Sequence, residues 1–250
     1  MPARYIFPVG GQRRPTPHRK ASMTNPYFTD ATFEFLAGLA ANNDRTWFKA
    51  NKPRYEEHVK DPALRFITDF GPILKEISPH FRADPRANGG SLFRIYRDTR
   101  FSKDKSPYKT HTGIHFRHDA ARDAHAPGFY LHIQPGNCFA GCGVWRPSGP
   151  ALRKIRESID EEPAAWKQAS RDARFREAFD LTGDSLIRAP KGYSPDHRLI
   201  EDLRRKDFIG VARLNAQALI AGDFLETFAQ LCRDGAVFQR WLCRALAVPY

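Results

Sequence analysis

The sequence contains no hydrophobic run that approaches a membrane-spanning length. A transmembrane helix needs about 20 consecutive apolar residues, so we expect no membrane partner. Cysteine is scarce, with four in 250 residues, and the early apolar stretch "YIFPV" is followed by no small-residue cleavage site. Few cysteines without a secretory signal are typical of a reducing compartment. These absences predict a soluble, cytoplasmic protein.

The motifs of familiar enzyme classes are absent as well. The sequence has no G-x-x-x-x-G-K-[ST], no G-x-G-x-x-G after a strand, no H-E-x-x-H and no G-x-S-x-G. This argues against ordinary kinases, dehydrogenases, zinc proteases and serine hydrolases. Cys138 and Cys142 would lie about 13 Å apart along a strand, and the nine histidines are scattered. We expect neither a metal site nor a cofactor.

Acidic residues are missing from residues 1–29, which carry five Arg or Lys residues and five prolines. This composition predicts a disordered basic tail over residues 1–26. Met23 permits a second interpretation, in which translation starts at "MTNPYF". The five basic residues then disappear, and the net charge falls from +12 to +7. Both interpretations stay open at this point.

The remaining residues, 27–250, are predicted to form a single α+β domain, since 41% hydrophobic residues can build a sizeable core. From about residue 91 to 146 the hydrophobic period is two, and turn signals such as Pro127-Gly128 separate the segments. Before and after this region the period is helical. We therefore predict a mostly antiparallel sheet flanked by N- and C-terminal helices. The predicted strands are "SLFRIYR", "TGIHFRH", "GFYLHIQPG" and "NCFAGCGVW".

Side-chain alternation predicts two different faces for this sheet. Ile114 and Phe116 share one face, whereas His115, Tyr130 and His132 belong to the other. One face is therefore expected to be core, and the opposite face polar, aromatic and basic. Further along the chain, residues 184–208 are predicted to be a loop followed by a short charged helix.

Four long motifs occur in this order: "NNDRTWFKANKPRYEEH", "LFRIYRDTRFSKDKSPYKTHTGIHF", "GFYLHIQPGNCFAGCGVWRPSGPALRKIR" and "PKGYSPDH...LRRKDF". Together they resemble the bacterial and fungal family called domain of unknown function 2461, over nearly all of residues 27–250. The family pattern has proline after the histidine of the "DH" step, where this chain has Arg198. The resemblance implies a fold but no established reaction.

The most basic segment is "FRIYRDTRFSKDKSPYKTH", residues 93–111. It contains three arginines, three lysines and a histidine, opposed only by Asp98 and Asp104. Arginine binds phosphate or carboxylate oxygens with two donors at once, and lysine adds point charge. Interleaved aromatic residues and a bend at Ser106-Pro107 favour a shaped site, although a solvated basic face remains the alternative. The segment predicts a site for an anionic ligand over the polar sheet face.

The resemblance places a second basic loop, "PKGY", among the shared motifs, so this loop is expected to face the same site. The prediction requires that both sets of side chains converge on one centre. The candidate ligand-binding residues are Arg94, Arg97, Arg100, Lys105, Tyr108, Lys109, His111, Lys191, Tyr193 and His197.

Three classes of function remain open from the sequence. An enzyme would use the cations to position an anionic substrate while Asp98 or His111 moves a proton. A binding module for nucleic acid or a nucleotide would pair cations with phosphate and stack tyrosines on bases. A structural or interaction protein would use the basic segment for bracing alone. The expected partner is an anionic small molecule or nucleic acid, and the sequence indicates no oligomeric state.

Overall fold

A computed structural model describes residues 26–120 and 126–250 of the chain. The predicted basic tail lies outside these residues, apart from Pro26. Helices come first, then most of a sheet, then further helices. The N-terminal elements are α1 (Asp30–Ala41), α2 (Arg45–Tyr55), a π-helical segment (Glu56–Lys60) and α3 (Asp61–Ile77).

The N-terminal helices follow from capping and from helical periodicity. The Asp44 carboxylate accepts the backbone N–H of Trp47 at 2.9 Å and so caps α2. On α3, Phe66, Phe70 and Leu74 recur every four residues and are fully buried. This spacing gives α3 one apolar face, which it turns towards the sheet.

Within the described residues, the sheet has five strands, and every pairing is antiparallel. The spatial order is β1-β2-β3-β5-β4, and the register places Ile114 opposite Leu131 and His132 opposite Phe139. The prediction of an α+β fold with a mostly antiparallel sheet is confirmed. The strands are β1 (Thr112–Arg117), β2 (Gly128–Ile133), β3 (Cys138–Val144), β4 (Asp180–Thr182) and β5 (Phe208–Leu214).

The extent of the sheet differs from the prediction at both ends. Residues 91–97 are not a continuous strand, because they pair only at isolated bridges such as Leu92 with Ile114. Beyond this bridge the chain pairs with itself, as Arg97 N–H donates to the carbonyl of Pro107 at 2.9 Å. The sheet also continues past residue 146, since β5 pairs with β3 and carries β4 on its other side.

The C-terminal helices surround the second half of the sheet. The short charged helix predicted within residues 184–208 is present as α7 (Ile200–Leu203), one turn long. Other C-terminal helices begin at side-chain caps, such as the Asp172 carboxylate, which accepts Phe175 N–H at 3.0 Å. The elements are α4 (Gly149–Glu161), α5 (Pro163–Ser170), α6 (Ala173–Ala178), α7 (Ile200–Leu203), α8 (Ala216–Ile220), α9 (Phe224–Asp234) and α10 (Ala236–Ala245).

The core lies between one sheet face and the helices α3, α9 and α10. Phe66 of α3 is at its centre, with ring centroids 6.4 Å from Phe116 on β1 and 5.6 Å from Phe228 on α9. All four cysteines are buried and free, so the prediction of ordinary core cysteines is confirmed. Among the described residues, no helix is both long and apolar enough to cross a bilayer.

The central position of Phe66 gives a test of this packing. We expect Phe66→Ala to lower the free energy of unfolding by about 3–5 kcal/mol, because it leaves a cavity among six aromatic rings of the described residues. Phe101→Ala is the matched control, since Phe101 is 92% exposed, and should change stability by less than about 0.5 kcal/mol. Urea unfolding measures both values, and equal effects would contradict the core described above.

Candidate anion-binding site

The basic segment forms a loop in which arginine side chains pair with aspartates of the same loop. The Arg97 guanidinium pairs with the Asp104 carboxylate at 2.6 Å. The second oxygen of Asp104 accepts the backbone N–H of Ser106 at 2.9 Å and its hydroxyl at 2.6 Å. These Ser106 hydrogen bonds, followed by Arg97, hold the pKa of Asp104 well below its usual range. Arg97 and Asp104 therefore brace the loop.

Arg100 and Asp98 form a second internal pair. Two donors of Arg100 reach the two oxygens of Asp98, at 3.0 and 2.7 Å. Hydrogen bonds from Arg100 lower the pKa of Asp98 to about 2. A carboxylate this acidic is a poor general base near neutral pH, which counts against the proton-transfer role predicted for Asp98.

The lysines of the segment donate to its own backbone. Lys105 Nζ lies 2.9 Å from the carbonyl of Thr99, and Lys109 Nζ lies 2.7 Å from the carbonyl of Arg94. Lys109 also sits 5.5 Å from the Phe93 ring centroid. Arg94 itself is exposed. The positively charged side chains of the segment thus contact several separate acceptors nearby and do not meet at one shared centre.

Tyr108 is a core residue rather than an open stacking surface. Its ring stacks on Phe48 with centroids 4.1 Å apart, and only 5% of the residue is exposed. The Asn43 side chain donates to the carbonyl of Tyr108 at 3.0 Å and accepts its N–H at 3.1 Å. This residue anchors the loop to the α1–α2 connection.

His111 lies on the polar face of the sheet, in a row of neighbouring rings. Its centroid is 4.4 Å from His132, which is 4.6 Å from Phe139 on the next strand. Burial, then the neighbouring His132 and Lys109, lower the pKa of His111 to about 3. His111 is therefore neutral at pH 7 and contributes no positive charge to an anion site.

The tautomer of His132 follows from its neighbours. Its Nε2 lies 3.1 Å from Oε1 of Gln134, an oxygen that only accepts, so Nε2 carries the proton. Nδ1 then accepts the hydroxyl of Tyr130 at 3.1 Å. Burial lowers the pKa of His132 and raises that of Tyr130. Tyr130, His132 and Gln134 form a neutral hydrogen-bonded chain.

The second predicted loop lies at the far edge of the sheet. His197 pairs with Asp160 of α4 at 3.0 Å, Tyr193 is half-buried with its ring 6.4 Å from that of His197, and Lys191 is exposed. The basic segment adjoins β1, whereas this loop follows β4, and these two strands lie four strand spacings or roughly 19 Å apart. Across the described ranges, no hydrogen bond, ion pair or ring contact joins the two loops, so the predicted convergence is not observed.

Three arginines line one cavity elsewhere in the described part of the chain, and we call this cavity the arginine groove. It has a volume of about 390 Å³, and three of its six lining residues are arginines, opposed by one carboxylate. The groove lies between the α5–α6 junction and the segment that leads into β5. Its lining residues are Ser170, Arg171, Arg176, Leu181, Asp202 and Arg205.

The backbone around Arg205 is held firmly by its neighbours. Arg156 of α4 donates to the carbonyl of Leu203 at 2.7 Å and to that of Arg205 at 3.1 Å. On the other side, Lys206 N–H donates to the carbonyl of Asp184 at 2.8 Å. These bonds fix the point from which the Arg205 side chain enters the groove.

The donors of the groove are incompletely satisfied. Nε of Arg205 is buried, lies 3.6 Å from the nearest Asp202 oxygen and makes no hydrogen bond. Arg171 and Arg176 form no side-chain hydrogen bond or ion pair with any described residue. A buried donor without a hydrogen-bond acceptor is costly, and the Asp202 carboxylate offsets this cost only through its charge. Sequence reasoning missed this groove, although Arg205 lies within the quoted motif "LRRKDF".

A second cavity, the α2 groove, contains one of the predicted residues. It has a volume of about 610 Å³ and lies between the start of α2 and the basic segment. Lys105 and Arg45 contribute positive charge, but the Asp44 carboxylate lies in the same lining. Its lining residues are Asn43, Asp44, Arg45, Thr46, Thr99, Lys105, Ser106 and Pro107.

The environment of His111 predicts its titration. The folded pKa is about 3 against the ordinary 6.5, so the folded state binds fewer protons than the unfolded chain. We expect the stability that depends on neutral His111 to be complete above pH 6.5 and to be lost as the pH falls towards 3. NMR should show an imidazole that stays neutral from pH 8 to about 4, whereas the urea-unfolded control titrates near 6.5. A folded-state midpoint near 6.5 would contradict the buried ring stack.

Comparison with known proteins places this architecture in a family. Neither the curated proteins nor the solved structures contain a match to the chain. One family model does match, over residues 31–241 of 250, which includes the strands, the basic segment and the arginine groove. The chain belongs to the family described as "Conserved hypothetical protein (DUF2461)".

Proposed function

We propose that this chain binds a small phosphate- or carboxylate-bearing ligand in the arginine groove. The observation that carries the proposal is the buried Nε of Arg205, which makes no hydrogen bond within the described residues and lies 3.6 Å from an Asp202 oxygen. Arg171 and Arg176 line the same groove, and no ion pair joins either of them to a described residue. Planar guanidinium donors match the oxygens of phosphate and carboxylate. The sequence also predicted an anionic ligand, but it placed the binding site at other residues.

The groove supports binding more directly than catalysis. The hydroxyl of Ser170 donates to the carbonyl of Trp166 at 2.8 Å, so it is not poised as a nucleophile. Asp202 is the one carboxylate in the lining, and no histidine contributes to it. A catalytic form of the proposal would need the ligand itself, or Asp202, to supply proton transfer.

Single-stranded nucleic acid on the basic segment is a second candidate. It is favoured by the exposure of two aromatic side chains between the cations, Phe101 at 92% and Tyr96 at 58%. Exposed rings can stack on bases while Arg94 and Lys103 contact phosphates. Binding of this kind weakens steeply as salt rises, because counterions are released.

Isothermal titration of the full chain with phosphate, pyrophosphate, sugar phosphates, dicarboxylates and short oligonucleotides tests both candidates. We expect at least one small anion to bind, and Arg205→Gln or Arg176→Gln to weaken that binding about tenfold or more, or about 1.4 kcal/mol. Arg97→Gln and Arg100→Gln are the matched controls. Their charges are already paired within the basic segment, so they should leave the affinity unchanged.

Other outcomes separate the alternatives. Weakening by Lys105→Gln alone would move the site to the α2 groove. Oligonucleotide binding that collapses with salt and depends on Phe101 would favour the nucleic-acid candidate. If no compound binds, or if the arginine-groove variants behave as wild type, the proposal is wrong and a structural role becomes the best explanation.

A further inference from the structure

A group of two histidines and an aspartate lies beyond the end of β1, away from both grooves. Residues 80–82 pair antiparallel with residues 117–119 there, through a bridge between Phe81 and His118. Asp119 N–H donates to the carbonyl of His80 at 2.7 Å. This pairing joins two segments that are distant in sequence, and it brings His80, His118 and Asp119 together.

The His118 ring is held in one orientation. It is 1% exposed, and its Nε2 lies 2.7 Å from the carbonyl oxygen of Pro249. Because a carbonyl only accepts, Nε2 carries the proton. Ala120 N–H donates to Nδ1 at 3.1 Å, which agrees with a lone pair on that atom. A histidine whose other nitrogen donates to a backbone carbonyl is the usual arrangement of a metal ligand.

Electron-pair donors meet at the centre of this group. Nδ1 of His118 lies 3.4 Å from one oxygen of Asp119, and Nδ1 of His80 lies 3.6 Å from the other. The lone pair of His118 therefore faces a carboxylate oxygen with no proton between them. A cation at this point would remove the repulsion between these two acceptors.

We infer that His80, His118 and Asp119 form a binding site for a divalent transition-metal ion of the Zn²⁺ type. One ligand atom from each residue lies within 4.8 Å of the others. Tetrahedral Zn²⁺ holds its N and O ligands about 3.3 Å apart, which is close to the 3.4 and 3.6 Å that separate the two histidine Nδ1 atoms from the two Asp119 oxygens. To bind the ion, the three side chains must close from within 4.8 Å to ligand spacing, and the Ala120 N–H must release Nδ1 of His118.

The types of ligand atom at this site determine which metal ion it prefers. Imidazole suits Zn²⁺, Ni²⁺ and Cu²⁺, whereas Mg²⁺ and Ca²⁺ prefer sites made wholly of oxygen. His80 and Asp119 are partly exposed, at 33% and 36% of their side chains, so an ion and a water molecule as fourth ligand have access. The ion would tie residues 80–82 to residues 117–119 and, through His118, to the C-terminal Pro249.

The site is tested by titrating the chelator-treated full chain with Zn²⁺ and with Mg²⁺. We expect one Zn²⁺ to bind with a Kd below about 10 μM, Mg²⁺ not to compete, and Co²⁺ to show visible absorption of a low-symmetry site. His80→Gln and Asp119→Asn should each weaken Zn²⁺ binding about 100-fold or more. Both side chains are partly exposed, so both variants should fold, which circular dichroism checks.

His197→Gln is the matched control. His197 also pairs with a carboxylate, Asp160, at 3.0 Å, but it is not one of the three residues that meet at the proposed site. This variant should bind Zn²⁺ as wild type does. The inference is overturned if wild type binds no Zn²⁺ in this range. It is equally overturned if His80→Gln and Asp119→Asn leave the affinity unchanged.

Discussion

Burial of one sheet face against the phenylalanines of α3 and α9 is the constraint on which the other features depend. Phe70 lies 4.8 Å from Phe116 of β1 and 5.0 Å from Phe228 of α9, so the strands and helices share one aromatic layer. Once Phe116 points into this layer, strand alternation sends His115 to the opposite face. The same alternation places Tyr130 and His132 beside it.

The opposite face of the sheet has a polar composition, but its histidines are hardly exposed to solvent. His115 and His132 are each only 8% exposed, because aromatic neighbours and the basic segment cover them. Desolvation disfavours the charged imidazole, and the pKa of both His111 and His132 is lowered accordingly. A face that the sequence indicates to be basic thus carries neutral histidines at pH 7.

A buried carboxylate organises the other half of the sheet. Asp207 is 1% exposed and accepts the backbone N–H groups of Arg146 at 2.7 Å and Asp184 at 2.9 Å. It joins the end of β3, the loop after β4 and the start of β5. Gly183 is required beside it, since its φ is +125° and a Cβ would lie 2.5 Å from that of Asp207. This junction fixes the backbone next to Arg205, and the geometry of the arginine groove follows from it.

The sequence by itself determined the features that depend on neighbouring residues. The order of helices and sheet, the strands β1 to β3 and the two sheet faces follow from local period and turn residues, and the family follows from four long motifs. Even the internal pairing of the basic segment has a local cause, because Asp98 lies two residues before Arg100. The sequence left open whether such cations would converge on a ligand or pair with their own aspartates.

Only the tertiary structure decided the features that join distant segments. These features are the placement of β5 beside β3, the shared groove of Arg171, Arg176 and Arg205, and the approach of His80 to His118. Each of them joins parts of the chain that share no local hydrophobic period. Residues 91–97 show the same limit, since their alternation is that of a strand but they pair partly with β1 and partly with the loop that follows. Which donor remains without a partner is set by the packing of whole elements, and that packing is a property of the complete fold rather than of any one segment.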